Sequence, residues 1–242
     1  MVQTMDNDNK ATQNLLQQAS PPLELVLVFI LGPPAAGKST LCRKLGEKYL
    51  FNYVGVGNEL RDLTANSESA RARVNLADQD IQIIKYNLEN GLLVPRDILC
   101  KYLEQRIFRR NDMLESGSSP GVVLVDGFPR DATQWETFKT AVQTNWKSNN
   151  RSGVISIHCN KDIARKWFIS RARGDDDATR FEQRFCEYEK NKQDIDNAIA
   201  RDNLSCWSIA IDDERNFEKL HEEAKKLEAW SVLRNIINNG KD

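Results

Sequence analysis

The sequence predicts an α/β protein, a doubly wound parallel sheet of about five strands flanked by helices and built on a P-loop. Three observations lead there. Leu25-Val-Leu-Val-Phe-Ile-Leu31 is an unbroken apolar run, the pattern of a parallel strand buried on both faces. It is closed by Gly32-Pro33-Pro34-Ala35-Ala36-Gly37-Lys38-Ser39-Thr40, a glycine-bounded loop that leads into helix-forming sequence. Further β-favouring runs then alternate with polar helical stretches.

A chain of 242 residues, 40% hydrophobic, has room for one large α/β domain. Its 34 basic and 35 acidic side chains nearly cancel, so no nucleic acid or membrane partner is expected and any anion site must be local. The longest apolar run, seven residues, is far short of the roughly 20 that span a bilayer. Cys42, Cys100, Cys159, Cys186 and Cys206 form no C-x-x-C pair, and only two histidines accompany them. Reduced thiols and a cytoplasmic protein are therefore expected, with the nucleus as the alternative compartment. Residues 1–22 have Lys10 as their sole basic residue and no apolar core, which reads as a disordered tail and not a leader; the domain is expected over 23–242.

Along the chain, Leu25–Leu31 is the expected central strand and Leu41–Lys48 the helix after the loop. Residues 57–95 interrupt the alternation with helical sequence rich in Arg, Glu and Asn, the pattern of an insertion. Val122–Val125 before Asp126, Val154–Ile157 before His158, and Trp207–Ile211 read as strands. Residues 171–180 are a short charged stretch. In such sheets ligands bind beyond the carboxyl ends of the strands.

The spacing Gly32-x-x-x-x-Gly37-Lys38-Ser39 satisfies the P-loop pattern. Glycines let backbone N–H groups converge on phosphate oxygens, Lys38 adds a positive charge, and Ser39 or Thr40 can reach a magnesium shell. The blander reading is a glycine-rich turn that binds nothing. Even on the first reading the loop indicates only triphosphate binding, and the reaction must come from other residues.

Asp126-Gly127-Phe128-Pro129-Arg130 resembles the Asp-Gly-Phe-Pro-Arg motif of the adenylate kinases and uridylate/cytidylate kinases, with ATP and a nucleoside monophosphate as substrates and Mg2+ as cofactor. The resemblance runs in order from about Leu25 to Glu228. It implies that Asp126 holds magnesium through water with Ser39, and that Gly127 and Arg130 receive the acceptor. Val56-Gly57-Asn58-Glu59-Leu60-Arg61 is similar to the family's Gly-Asp-Leu-Leu-Arg segment, which implies Arg61 as a second phosphate clamp beside Gly57 and Asn58; Asn58 replaces the usual aspartate. Asn90–Pro95 resembles a turn whose backbone, at Val94, lines the acceptor's base and ribose. Read alone, it is a helix C-cap followed by proline.

Arg173-Gly-Asp175-Asp176-Asp177, with Arg184 eleven positions after Arg173, resembles the family's lid. This implies a catalytic set of Lys38, Arg130, Arg173 and Arg184, with Arg171 at the start of the lid on the ATP side. Guanidinium groups suit that role because a loose phosphoryl-transfer transition state spreads negative charge over oxygens. Asp175 and Asp176 fit hinge pairing better than general-base work. His158, His221 and the tryptophans at 146, 207 and 230 are expected to be structural.

Gln134 stands four residues after Arg130, where family members acting on AMP commonly have glutamine and those acting on UMP or CMP more often asparagine; the resemblance thus implies AMP as acceptor, and an amide can both donate to and accept from the adenine edge. UMP or CMP is the alternative acceptor, and a catalytically silent nucleotide-binding protein the alternative class. The Pro33-Pro34-Ala35-Ala36 interior departs from the family's Gly-Pro-Gly, and Pro34 removes a backbone donor. Ser39 stands where the family has glycine. The lid between Arg171 and Arg173 is very short, and Trp167 replaces an arginine that packs on the donor base, where its own face can stack. A monomer is expected.

Overall fold

The computed structural model describes residues 25–108, 121–148, 152–171 and 177–211. Among these, five strands form one sheet in the order β2-β3-β1-β4-β5, every neighbouring pair parallel. The strands are β1 (Val26–Leu31), β2 (Asn52–Gly55), β3 (Val122–Asp126), β4 (Gly153–Cys159) and β5 (Ser205–Ile211). The helices between them are α1 (Lys38–Tyr49), α2 (Val56–Thr64), α3 (Glu68–Ala72), α4 (Asp78–Glu89), α5 (Arg96–Phe108), α6 (Ala132–Val142), α7 (Lys161–Ser170) and α8 (Ala178–Ala200).

β1 is the central strand, as its composition predicts, and its alternation explains why the whole run is apolar. Leu27 and Phe29 face one core with Val123 and Val125, while Val26, Val28 and Ile30 face a second with Leu41 and Leu45 of α1. On the first face Phe29 stands edge-on to Trp135 at 5.0 Å and near Phe138 at 6.0 Å, ring contacts worth about 0.5–1.5 kcal/mol each beyond burial. Trp146 joins that cluster, and its indole N–H donates to Ser152 Oγ at 3.1 Å. Trp207 packs against the second core, and His158 is exposed on β4.

The strand that the sequence reading did not assign is β2. Asn52-Tyr-Val-Gly55 is short and half polar because it lies at the sheet edge, where only Val54 and Gly55 are fully buried. Residues 57–95 fold into α2, α3 and α4, whose Leu60, Leu63, Ile81 and Ile84 bury at helical spacing in the larger core. Helix α8 divides its burial: Phe181 and Phe185 join Phe168 in a small aromatic cluster, while Ile195, Ala198 and Ile199 enter the larger core. Asp131 and Asp177 cap α6 and α8 by accepting from Gln134 N and Arg180 N, each at 2.7 Å.

Register brings the functional ends together. Ile30 lies opposite Asp126, and Asp126 opposite Gly55, so the ends of β1, β3 and β2 share one rim. The described residues hold no helix long and apolar enough to cross a membrane.

Candidate active site

The loop after β1 turns sharply because its backbone must. Gly32 has φ 144°, and a Cβ there would sit 2.5 Å from the Ile157 carbonyl oxygen, so only glycine lets the loop lie this close to β4. Gly37, φ 84°, starts α1 with no side chain capping it, which leaves first-turn N–H groups open to an anion with the helix dipole behind them. Ala35 also takes a left-handed φ of 59°, at a position where the resemblance calls for glycine. Lys38 Nζ donates to the Gly32 and Pro33 carbonyls at 2.9 and 2.7 Å, across the loop it serves. Burial lowers its pKa, and Asp126 opposes that shift.

Ser39 Oγ donates to Asp126 Oδ2 at 2.5 Å, and Tyr53 OH to the same oxygen at 3.2 Å. The two expected metal-side residues are thus in contact, although 87 positions apart in sequence. Asp126 is buried, and burial followed by the Asp126 charge pushes the Tyr53 phenol up, which keeps it a donor. Hydroxyl and carboxylate oxygens beside a phosphate loop fit a hard cation such as Mg2+.

One cleft of about 820 Å³ is lined by Gly32, Pro34 to Thr40, Gly57, Asn58, Arg61, Asp126, Gly127, Arg130, Trp167, Arg171 and Arg184. Most of the residues singled out in the sequence therefore converge on it. Pro33 does not line it, being buried behind the loop. Val94 is also off the wall, with its side chain in the larger core. Gln134 is buried, and its Oε1 accepts from Arg130 N at 2.9 Å. That oxygen holds the Arg130 backbone, and Gln134 is off the cleft wall like Val94, so the side chain does not stand where the expected pairing with a base edge would take place. Arg173, Asp175, Asp176, His221, Trp230, the tail 1–22 and residues 172–176 of the stretch 171–180 lie outside the described residues.

The arginines are held in different ways. Arg61 Nη1 donates to Gly57 O, one turn back, at 2.7 Å. Arg130 Nη2 pairs with Glu187 Oε1 at 2.9 Å. Arg171 and Arg184 lie over the Phe168 ring, 4.4 and 5.5 Å from its centroid, so one buried aromatic carries two guanidiniums. Across the cleft mouth, Arg180 Nη2 donates to Glu89 O at 2.9 Å and Gln183 Nε2 to Gly91 O at 3.5 Å, joining α8 to the end of α4.

Glu59 was not singled out in the sequence. It accepts from Gly55 N at 3.1 Å, Tyr102 OH at 2.9 Å and Arg106 Nε at 2.7 Å, and so fixes the start of α2, where Gly57 and Asn58 sit. It stands where the resembled segment has leucine, and that departure is the signal that could have found it. Phe168 and Tyr53 give no such signal, since an aromatic in an amphipathic helix or edge strand reads as core.

Sheet order, loop and helix start define a P-loop α/β protein with a cation-lined cleft. A family model described as "Adenylate kinase" matches residues 30–200. The chain belongs to the adenylate kinase family. It is 31% identical over 157 residues to human adenylate kinase isoenzyme 5, covering 64% of this chain and 24% of that protein. It is 28% identical over 169 residues to the mouse isoenzyme 5, covering 68% and 26%. Against mouse UMP-CMP kinase the identity is 27% over 176 residues, covering 71% of this chain and 82% of the kinase. The chain thus spans about a quarter of the length of the isoenzyme 5 proteins and most of the UMP-CMP kinase.

Proposed function

We propose that this protein transfers the terminal phosphoryl group of ATP to a nucleoside monophosphate, with AMP as the favoured acceptor. The observation that carries this is convergence: the P-loop with Lys38, the Ser39–Asp126 pair, and Arg61, Arg130, Arg171 and Arg184 all line one cleft. In this reading Lys38 and the α1 amides hold the donor phosphates, and the Trp167 face stacks on the donor base. Arg61 and Arg130 clamp the acceptor phosphate, with Gly57, Asn58 and Gly127 around the acceptor nucleoside. Arg173 and Arg184 close over the group in flight, with Arg171 on the ATP side. Orientation and charge complementarity supply the rate, and no covalent intermediate on the protein is required. Ser39 and Asp126 would hold Mg2+, directly or through water, and the ion would neutralise charge on the donor phosphates.

Gln134 supports AMP through its position and amide, yet its side chain is buried off the cleft wall with Oε1 on the Arg130 backbone. That observation, with the 82% coverage of mouse UMP-CMP kinase, favours UMP or CMP as the second reading. A coupled assay of diphosphate formation with AMP, UMP and CMP tests both. The fastest kcat/KM is expected with AMP; a faster rate with UMP or CMP reverses the order, and ATP binding without transfer to any of the three leaves a nucleotide-binding protein. In the same assay Arg184→Ala is expected to lower kcat by about 10²–10³ with little change in ATP binding. Equal losses in both would remove Arg184 from the transfer step.

A further inference from the structure

The cleft contains an acid that the proposed transfer does not use. Glu187 lines the cavity among the arginines, three residues after Arg184 and hence on the same face of α8. Its carboxylate pairs with Arg130 Nη2 at 2.9 Å, the guanidinium assigned to the acceptor phosphate. The charged groups acting on it are Arg130 and Arg184, which attract it, and Asp131 at the cap of α6, which repels it. Its side chain is 21% exposed, against 39% for Arg130, so the carboxylate is the more desolvated partner. Burial raises the Glu187 pKa, and the two arginines oppose that rise. The ion is therefore held in the cleft by cations that a phosphate would also seek.

We propose that Glu187 is the resident counter-ion of the acceptor clamp: it holds Arg130 in the cleft until a phosphate dianion takes the guanidinium over, and it thereby sets acceptor affinity. This rests on the reading of Arg130 as the acceptor clamp. Two features of the chemistry carry it. A guanidinium fork that meets one carboxylate is pre-oriented for a second oxyanion, which takes the same N–H groups in similar geometry. A dianion must then either displace the Glu187 carboxylate or bind beside it, and both cost affinity through competition or like-charge repulsion. Glu187 acts through Arg130 and is a positioning residue.

Calorimetric titration of the full chain with AMP and with UMP tests this in wild type, Glu187→Gln, Glu187→Ala, Glu187→Asp, Arg130→Ala and the Arg130→Ala/Glu187→Gln double variant. Removing the charge in Glu187→Gln is expected to tighten whichever monophosphate binds by about 3- to 10-fold, by a similar factor for both if both bind. ATP affinity should stay within about two-fold. Glu187→Ala should tighten binding in the same direction, and Glu187→Asp should return it toward wild type. Arg130→Ala should weaken binding by about ten-fold or more, and Glu187→Gln should add nothing in that background.

If Arg130→Ala leaves both affinities unchanged, the clamp reading itself falls. If Arg130→Ala weakens binding while Glu187→Gln and Glu187→Ala leave it unchanged or weaken it, the counter-ion proposal alone is overturned. A tightening that persists without Arg130 also overturns it, because Glu187 would then act through another group.

Discussion

Ala35 shows how one residue can carry both strain and function. A side chain in the left-handed region costs about 1–2 kcal/mol, yet the loop after β1 turns there, on the wall of the cleft. Ala35→Gly is therefore expected to raise stability by about 0.5–1 kcal/mol, the relief of strain outweighing the added entropy of the unfolded chain. Equilibrium urea denaturation measures it, and a loss of stability would show that Ala35 sits there without strain. At the same scale, Lys38 and Arg130 were legible from motif spacing, while their partners were not. The Gly32 and Pro33 carbonyls and Glu187 hold those side chains, and Gln134 Oε1 holds the Arg130 backbone N–H, through contacts that only folded geometry creates.

At the scale of elements, α8 links the parts of the cleft. Its N-terminal half carries Arg180, Arg184 and Glu187, and its C-terminal half is anchored in the larger core by Ile195, Ala198 and Ile199. The bond from Arg180 to Glu89 O ties α8 to the end of α4 at an exposed rim. Arg180→Ala is expected to speed amide hydrogen exchange across Glu89 to Leu92, by about three- to ten-fold, while exchange in β1 and β3 stays unchanged. Uniform acceleration would mean that the contact serves global stability instead. Of the elements themselves, β1, β3 and β4 were readable as mainly apolar buried runs, and β5, an edge strand with only Ile209 and Ile211 buried, from its β-favouring run Trp207–Ile211. β2 was not, because an edge strand of four residues with Asn52 and Tyr53 carries no such signature.

At the scale of the whole molecule, the cleft draws on β1, β3, α1, α2, α7 and α8, so a ligand there links both cores. Magnesium-ATP at 100 times its Kd is expected to stabilise the fold by about 2.7 kcal/mol, or a rise in Tm of about 5–10 °C for a domain of this size. Thermal melting checks it, and Lys38→Met should abolish most of the shift; a full shift in that variant would place the triphosphate elsewhere. The sequence by itself determined the fold class, the central strand, the P-loop and the positions of the candidate phosphate-binding arginines, because continuous apolar runs, glycine spacing and motif order are local in the chain. Only the tertiary structure decided that Ser39 meets Asp126, that Phe168 carries Arg171 and Arg184, that Gln134 Oε1 accepts from the Arg130 N–H, and that Glu187 pairs with Arg130. Each joins separate elements, so it depends on strand register and helix packing, which no local pattern encodes.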